Sequence, residues 1–278
     1  EFGDTDPPTY KDTAPNPTLL DRIKNIDQIN NSAILGRIYK KYKSIRGTPP
    51  YSRCEHTTET VTNWALSELD EAPPKFLWAH YMDAHKPFIP EQAIDPPEMD
   101  ISPQRLGELN SYDLEDNPPG KVDLELLWDL YESNVRYLDN GLGEVLSTLR
   151  QFDWYSESLI ILVSDHGELF GEHGQMWHPM TADPVDELID VPLAVKFPEG
   201  EQAGEVIKHR VQHADIPATV ESYLGIQEKT PDGTFPLLDS SERLTISKSN
   251  TAIRVTGDDG HVFYRRDGSE STFGSPSE

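Results

Sequence analysis

The chain has 278 residues and a single cysteine, Cys54, so no disulfide can form within it and the cysteine count gives no support to an oxidising, exported setting. It is also poor in positive charge: 24 Lys and Arg stand against 49 Asp and Glu, a net charge of −25. Repulsion of that sign disfavours nucleic acid and anionic membrane as partners. Long hydrophobic runs are missing too, and no stretch approaches the roughly 18 apolar residues that a membrane-crossing helix needs. Glu1 opens no secretory leader, and with the cysteine usage this makes a cytoplasmic location the expectation.

What is present is acid, spread over every segment, with aromatic and aliphatic runs between the carboxylates. That distribution reads as a folded protein with an acidic surface rather than a disordered tail. Self-repulsion of this size is relieved by screening, so a salt-loaded cytoplasm and a halophilic source are expected.

The Pro-rich stretch 1–18 resists helix and strand alike. Apolar spacing from Leu19 to Arg46 predicts helix broken near Asn30 and Asn31, with a basic cluster of Arg37, Lys40, Lys41, Lys43 and Arg46 as a solvated face. Glu55–Leu69 reads as an amphipathic helix with Val61, Trp64, Ala65 and Leu69 on one side. Phe76 to Tyr81 is a short apolar run suited to a buried strand, and a loop rich in Pro and acid follows to about Gly120. The longest helix carries Leu127, Leu130, Val135, Leu138, Leu142 and Leu149 at helical spacing, with Gly141 and Gly143 as tolerated interruptions. Ser158–Ser164 and Val191–Phe197 read as strands and Asp215–Leu224 as a short helix. Beyond Glu242, β-like pieces at Ala252–Val255 and His261–Tyr264 suggest a small carboxyl-terminal subdomain.

Chemistry concentrates where the Ser158–Ser164 strand ends, in Ser164-Asp165-His166-Gly167-Glu168 followed by Gly171-Glu172-His173-Gly174 and His178. Asp165 offers a hard oxygen and His166 an imidazole nitrogen, and a turning backbone can bring both to one ion. The same letters also describe a plain turn, in which Asp165 caps and Gly167 supplies positive φ. Three of the nine histidines, His166, His173 and His178, fall within thirteen positions, which favours a site. His173 reads as a supporting loop residue. The second signal is Met82-Asp83-Ala84-His85-Lys86-Pro87, directly after the other apolar run. His85 there could hold a tetrahedral anion or protonate a leaving oxygen, or could be a turn residue bonded to backbone. If the two strands neighbour in one parallel sheet, the two sets converge at their carboxyl ends.

Taken together, Tyr131 through Gly174, Asp83-x-His85-x-Pro87, Glu187 to Leu193, His213 to Thr219 and the loop at Asp232 to Leu238 resemble the sulfatase family of the alkaline-phosphatase-like superfamily. The resemblance implies an α/β fold, a mixed or parallel sheet flanked by helices, with a small carboxyl-terminal subdomain. The expected division is 1–240 as a partial α/β domain and 241–278 as a β-rich subdomain or tail. It further implies metal-dependent hydrolysis of a sulfate monoester of a small molecule or glycan. Asp165 and His166 would bind one divalent cation, calcium foremost, with manganese, magnesium or zinc as alternatives. His85 would contact the sulfate, and His178 stands where many relatives have a Lys, able to bind or protonate a sulfate oxygen.

Sulfatases attack with a formylglycine made from Cys or Ser in a C-x-P-x-R context, and no such stretch occurs here; Cys54 lies in Ser52-Arg53-Cys54-Glu55-His56. The nucleophile segment and the acidic first strand of the family are therefore expected upstream of residue 1, and this chain alone is expected to be inactive. Two other readings stay open. One is a phospho- or phosphonate-ester hydrolase of the same superfamily, and the other a non-catalytic truncated product.

Overall fold

The structure is a computed structural model that describes residues 57–69, 76–90, 93–97, 101–112, 118–226 and 234–274. The expected helices between Leu19 and Arg46, their basic cluster, and Cys54 lie outside the described residues. Chain contacts define two units. The first combines residues 1–52 with 102–107; its described part is the first turns of helix Pro103–Leu109, where Ser102 Oγ accepts the Arg105 N–H at 3.2 Å. This helix falls inside the stretch expected to be loop. Everything that follows belongs to the second unit.

Helix α1, Thr58–Glu68, starts at Thr57, whose side chain accepts the Thr60 N–H and so satisfies one of the free donors of the first turn. Its buried face is Thr58, Thr62, Ala65 and then Leu69, while Trp64 is 45% exposed. The expected face was rotated because the helix packs through threonines. The partner is the long helix Lys121–Leu149, α3 in a numbering that gives α2 to Pro103–Leu109. A Cβ on its Gly141 would lie 2.4 Å from Thr58 Cγ2 and 2.6 Å from Thr62 Oγ1. Gly141 is thus the contact point of the two helices rather than a tolerated interruption.

Strand β1, Ile160–Val163, pairs antiparallel with β4, Leu193–Lys196. Between them, β2 (Leu169–Phe170) and β3 (Met176–Trp177) form a short hairpin, followed by the one-turn helix α4, Asp186–Ile189. Helix α5, Asp215–Leu224, has the bounds expected from the sequence. Strands β5 (Thr245–Lys248), β6 (Ala252–Gly257), β7 (Gly260–Arg265) and β8 (Glu270–Gly274) make an antiparallel meander. It lies in the same unit as the strands around residue 165.

Two expectations need correction. The run Phe76 to Tyr81 is extended but belongs to no ladder among the described residues, and Phe76 and Trp78 are 73% and 68% exposed. Apolar composition marks a segment that can be covered on both faces, but only a neighbouring backbone makes it a strand. Every strand pair among the described residues is antiparallel, so convergence of the two candidate turns does not rest on parallel neighbours.

The long helix, the loop around Phe88 and the β2–β3 hairpin are joined by an aromatic core. Phe88 meets Tyr131 at 5.3 Å, Phe170 at 6.0 Å and Trp177 at 6.1 Å between ring centres. Phe88 is fully buried and Trp177 is 8% exposed, and each such ring contributes roughly 1.5–3 kcal/mol by leaving water. The chain on either side of Phe88 is pinned as well. Phe88 N–H donates to Asn110 Oδ1 at 2.7 Å, and buried Asn134 exchanges bonds with Ile89 N–H and carbonyl at 3.3 and 3.1 Å.

Candidate active site

The four residues singled out in the sequence are brought together. The His85 and His178 rings are 5.0 Å apart between centres, and those of His166 and His178 are 4.3 Å apart, with Asp165 beside His166. Local reasons place each one. Asp165 and His166 follow β1, and the Ser164 N–H donates to Pro192 O at 3.3 Å, just beyond the end of the β1–β4 ladder. The chain then turns at Gly167. A Cβ there would sit 1.9 Å from the Glu187 carbonyl oxygen, and the Gly167 N–H donates to Leu188 O at 2.9 Å. Gly167 is required by this close approach, not by positive φ.

His178 is placed by hairpin register. Because Leu169 faces Trp177 across β2 and β3, the next pair outward is Glu168 and His178. Glu168 Oε1 accepts from His178 Nδ1 at 2.9 Å, and the carboxylate side chain is only 7% exposed. Before His178 the chain passes through Trp177 at a φ of 68°, a left-handed turn that costs a side-chain-bearing residue about 1–2 kcal/mol. The indole N–H donates to Tyr112 O at 2.7 Å, and Lys86 Nζ lies 4.3 Å from its ring centre. That cation–π contact ties the His85 loop to the hairpin. At the loop's start, Thr58 Oγ donates to Asp83 Oδ2 at 2.7 Å while Oδ1 is buried without a partner, and burial raises the Asp83 pKa.

The three imidazoles share one arrangement. Nδ1 of His85 faces Lys86 O at 2.6 Å, Nδ1 of His166 faces Gly167 O at 2.8 Å, and Nδ1 of His178 faces Glu168. Carbonyl and ionised carboxylate oxygens only accept, so each Nδ1 carries hydrogen and each Nε2 is left as the working nitrogen. Asp165 is likewise half committed: Oδ1 accepts the His166 N–H at 3.0 Å, and Oδ2 lies 3.8 Å from His166 Nε2. An oxygen and a neutral imidazole nitrogen, both otherwise uncommitted, suit a divalent ion as two of its ligands. Among the described residues there is no group of three or more His, Cys, Asp or Glu that could hold a metal, so the pair alone does not complete a shell.

Two participants carried no role in the sequence reading. Glu168 is visible there only as the fifth letter of the Ser164–Glu168 run; the hairpin register is what gives it meaning. His213, just before α5, donates from Nε2 to Ser164 O at 2.8 Å, next to Asp165. His173, by contrast, bonds Glu187 at 2.9 Å on an exposed surface, and that carboxyl's pKa is lowered first by a backbone hydrogen bond of Glu187 and then by His173. A recess of about 300 Å³ lined by Leu124, Trp128, Phe170 and three carboxylates includes none of the four candidate residues.

The described residues form an α/β fold in which one carboxylate and three imidazoles gather beyond the carboxyl end of β1. Its likeness to solved structures agrees at the level of the fold. A phosphonate monoester hydrolase of Agrobacterium radiobacter superposes with a TM-score of 0.56 at 16% identity, over 86% of this chain and 62% of that one. A protein of Bacteroides thetaiotaomicron described with the metabolism of multiple glycosaminoglycans superposes with 0.53 at 17% identity, over 78% and 51%. The sulfatase family profile matches residues 9–226, well over half of the sequence, and the chain belongs to the sulfatase family of the alkaline-phosphatase-like superfamily. Curated relatives include a choline-sulfatase of Rhizobium meliloti (strain 1021), 40% identical over 50 residues, 18% of this chain and 10% of its own length. Another is arylsulfatase K of Bos taurus, 32% identical over 106 residues, 38% of this chain and 19% of that one. The matches therefore span a tenth to a fifth of the relatives' lengths.

Proposed function

We propose that the complete protein hydrolyses a sulfate monoester, with Asp165 and His166 holding one divalent cation and His85 and His178 facing the sulfate. The observation that supports this best is the approach of His85 and His166 to the single ring of His178, in a chain of the sulfatase family. The bound cation, calcium as first candidate and manganese, magnesium or zinc as alternatives, would supply positive charge to the sulfate oxygens. His178, oriented by the nearly enclosed Glu168 side chain, would in its imidazolium form hold or protonate a non-bridging oxygen through Nε2–H. When the ester S–O bond breaks, the leaving oxygen takes a proton from Nε2 of His85 in its imidazolium form, whose other hydrogen stays on Nδ1 toward the Lys86 carbonyl. The sequence contains no C-x-P-x-R stretch, so no attacking group is assigned here and the 278-residue chain alone is proposed to be inactive.

Small-molecule and glycan sulfates are the classes to assay, as the relatives' names include choline-sulfatase and arylsulfatase and one fold neighbour is tied to glycosaminoglycans. The protein made from its complete coding sequence, matured and loaded with cation, is expected to release sulfate from aryl or sugar esters. Release from a phosphonate monoester alone would transfer the assignment to the second reading, which the phosphonate hydrolase fold neighbour motivates. Release from neither class would overturn the proposal.

A further inference from the structure

The chain from Pro179 to Ile189 links His178 to the carbonyls that crowd Gly167, and the carboxyl-terminal meander grips it at several points. The Asn250 N–H donates to Met180 O at 3.0 Å, and Thr251 Oγ donates to Thr181 O at 2.8 Å. Arg265 then forks onto Asp183 Oδ2, from Nε at 2.9 Å and from an Nη at 2.6 Å, and its other Nη bonds Ser271 Oγ at 2.9 Å. Arg254, 6% exposed, reaches the Pro184 carbonyl at 3.2 Å and Asp186 Oδ1 at 2.5 Å. Both guanidinium groups lie against the ring of Phe263, 5.2 and 5.7 Å from its centre, so one aromatic side chain fixes two arginines.

The Arg254 side chain is 7% exposed and that of Arg265 28%, so both guanidinium groups are held in place where they meet the loop. The loop they hold ends on both parts of the candidate site. At its start is His178, four residues before Ala182, which is 1% exposed; at its end are Glu187 and Leu188, whose carbonyls bound the Asp165–Gly167 turn. A displacement of about 1 Å in a catalytic group can cost on the order of a hundredfold in rate.

We infer that Arg265 and Arg254 are positioning residues for His178: the carboxyl-terminal sheet sets where that imidazole stands by clamping Asp183, Pro184 and Asp186. This rests on the sulfatase reading for what His178 does, but not for where it is. The test uses the full-length, cation-loaded protein with histidine side chains labelled for NMR, held well below its unfolding temperature. In Arg265→Ala the His178 signal moves while that of His209, held by the Leu237 carbonyl, does not. The reciprocal pair Arg265→Asp with Asp183→Arg returns His178 to its wild-type position. Where hydrolysis is measurable, kcat for an aryl sulfate falls about tenfold or more in Arg265→Ala and recovers in the pair. Should Arg265→Ala fail to fold, Arg265→Lys, which keeps the charge and loses the fork, decides by the same signal. An unmoved His178 signal in a variant whose only change is a lower Tm overturns the inference, as does a pair that folds without restoring the signal. A wild-type protein that splits no sulfate ester, while Arg265→Ala still shifts the His178 signal, refutes the functional reading alone.

Discussion

The imidazole half of the site and its Asp165 half are built differently. His178 and His85 stand on a hairpin and a loop locked by Phe88, Trp177 and Phe170, with Glu168 7% exposed behind His178. The Asp165 side chain is 75% exposed and that of His166 39%, and their turn is held chiefly by the backbone approach of Gly167 to Glu187 and Leu188. Buried packing fixes groups that must keep one geometry through a reaction, whereas an exposed carboxylate and imidazole keep their free atoms available to an ion. The lesson is that one half is held by side chains and the other by main chain, and the two should fail under different substitutions.

The largest effect is expected at the packed half. Trp177→Ala removes a buried ring, its bond to Tyr112 and its contact with Lys86, and should cost about 3–5 kcal/mol in urea unfolding. A loss near zero would mean that the hairpin does not depend on this core. Glu168→Ala takes the oxygen from His178 Nδ1 and is expected to lower kcat about 10–100-fold with a smaller change in stability, while Glu168→Gln, which keeps an acceptor, recovers part of it. Equal losses in both variants would argue that charge rather than orientation is what Glu168 supplies. At the main-chain half, Gly167→Ala forces a methyl against the Glu187 carbonyl and should cost about 1–3 kcal/mol, together with weaker cation binding by calorimetry. Unchanged cation affinity would separate Asp165 and His166 from the metal.

The smallest effect concerns pH. Asp83 is held above its ordinary pKa by burial, so the folded state binds its proton more tightly than the unfolded chain does. Its contribution favours folding below the unfolded value and is lost as pH rises toward and past the raised folded value. Asp83→Asn can keep the Thr58 bond without a charge, so the variant should gain on wild type as pH climbs from 4 to 7 in denaturant titrations. A gain on falling pH instead would reverse the assigned cause.

Much of this was legible in the sequence, and the limits follow from what a linear pattern carries. Helix α5 was readable over Asp215–Leu224, with Pro217 near its start as the signal. Asp165 and His166 were readable as candidates because they follow an apolar strand, and His85 and His178 because their motifs resemble those of the sulfatase family. The strand at Phe76 to Tyr81 was not, since pairing is a property of two segments. Nor was the rotation of α1, because buried Thr58 and Thr62 look polar until Gly141 is known to face them. The meander was half seen: β6 and β7 carry Val, Ile and Phe, whereas β5 and β8 are mostly polar with most of their residues open to solvent.

The central claim is that His85 and His178 face one anion-holding hollow beside Asp165. Titrating inorganic sulfate into the cation-loaded, full-length protein while following the two imidazole signals tests it most directly. The account predicts that both signals move with a single common Kd and that Asp165→Ala weakens that Kd for both. Signals that respond at separate concentrations, or a response of only one ring, would contradict it.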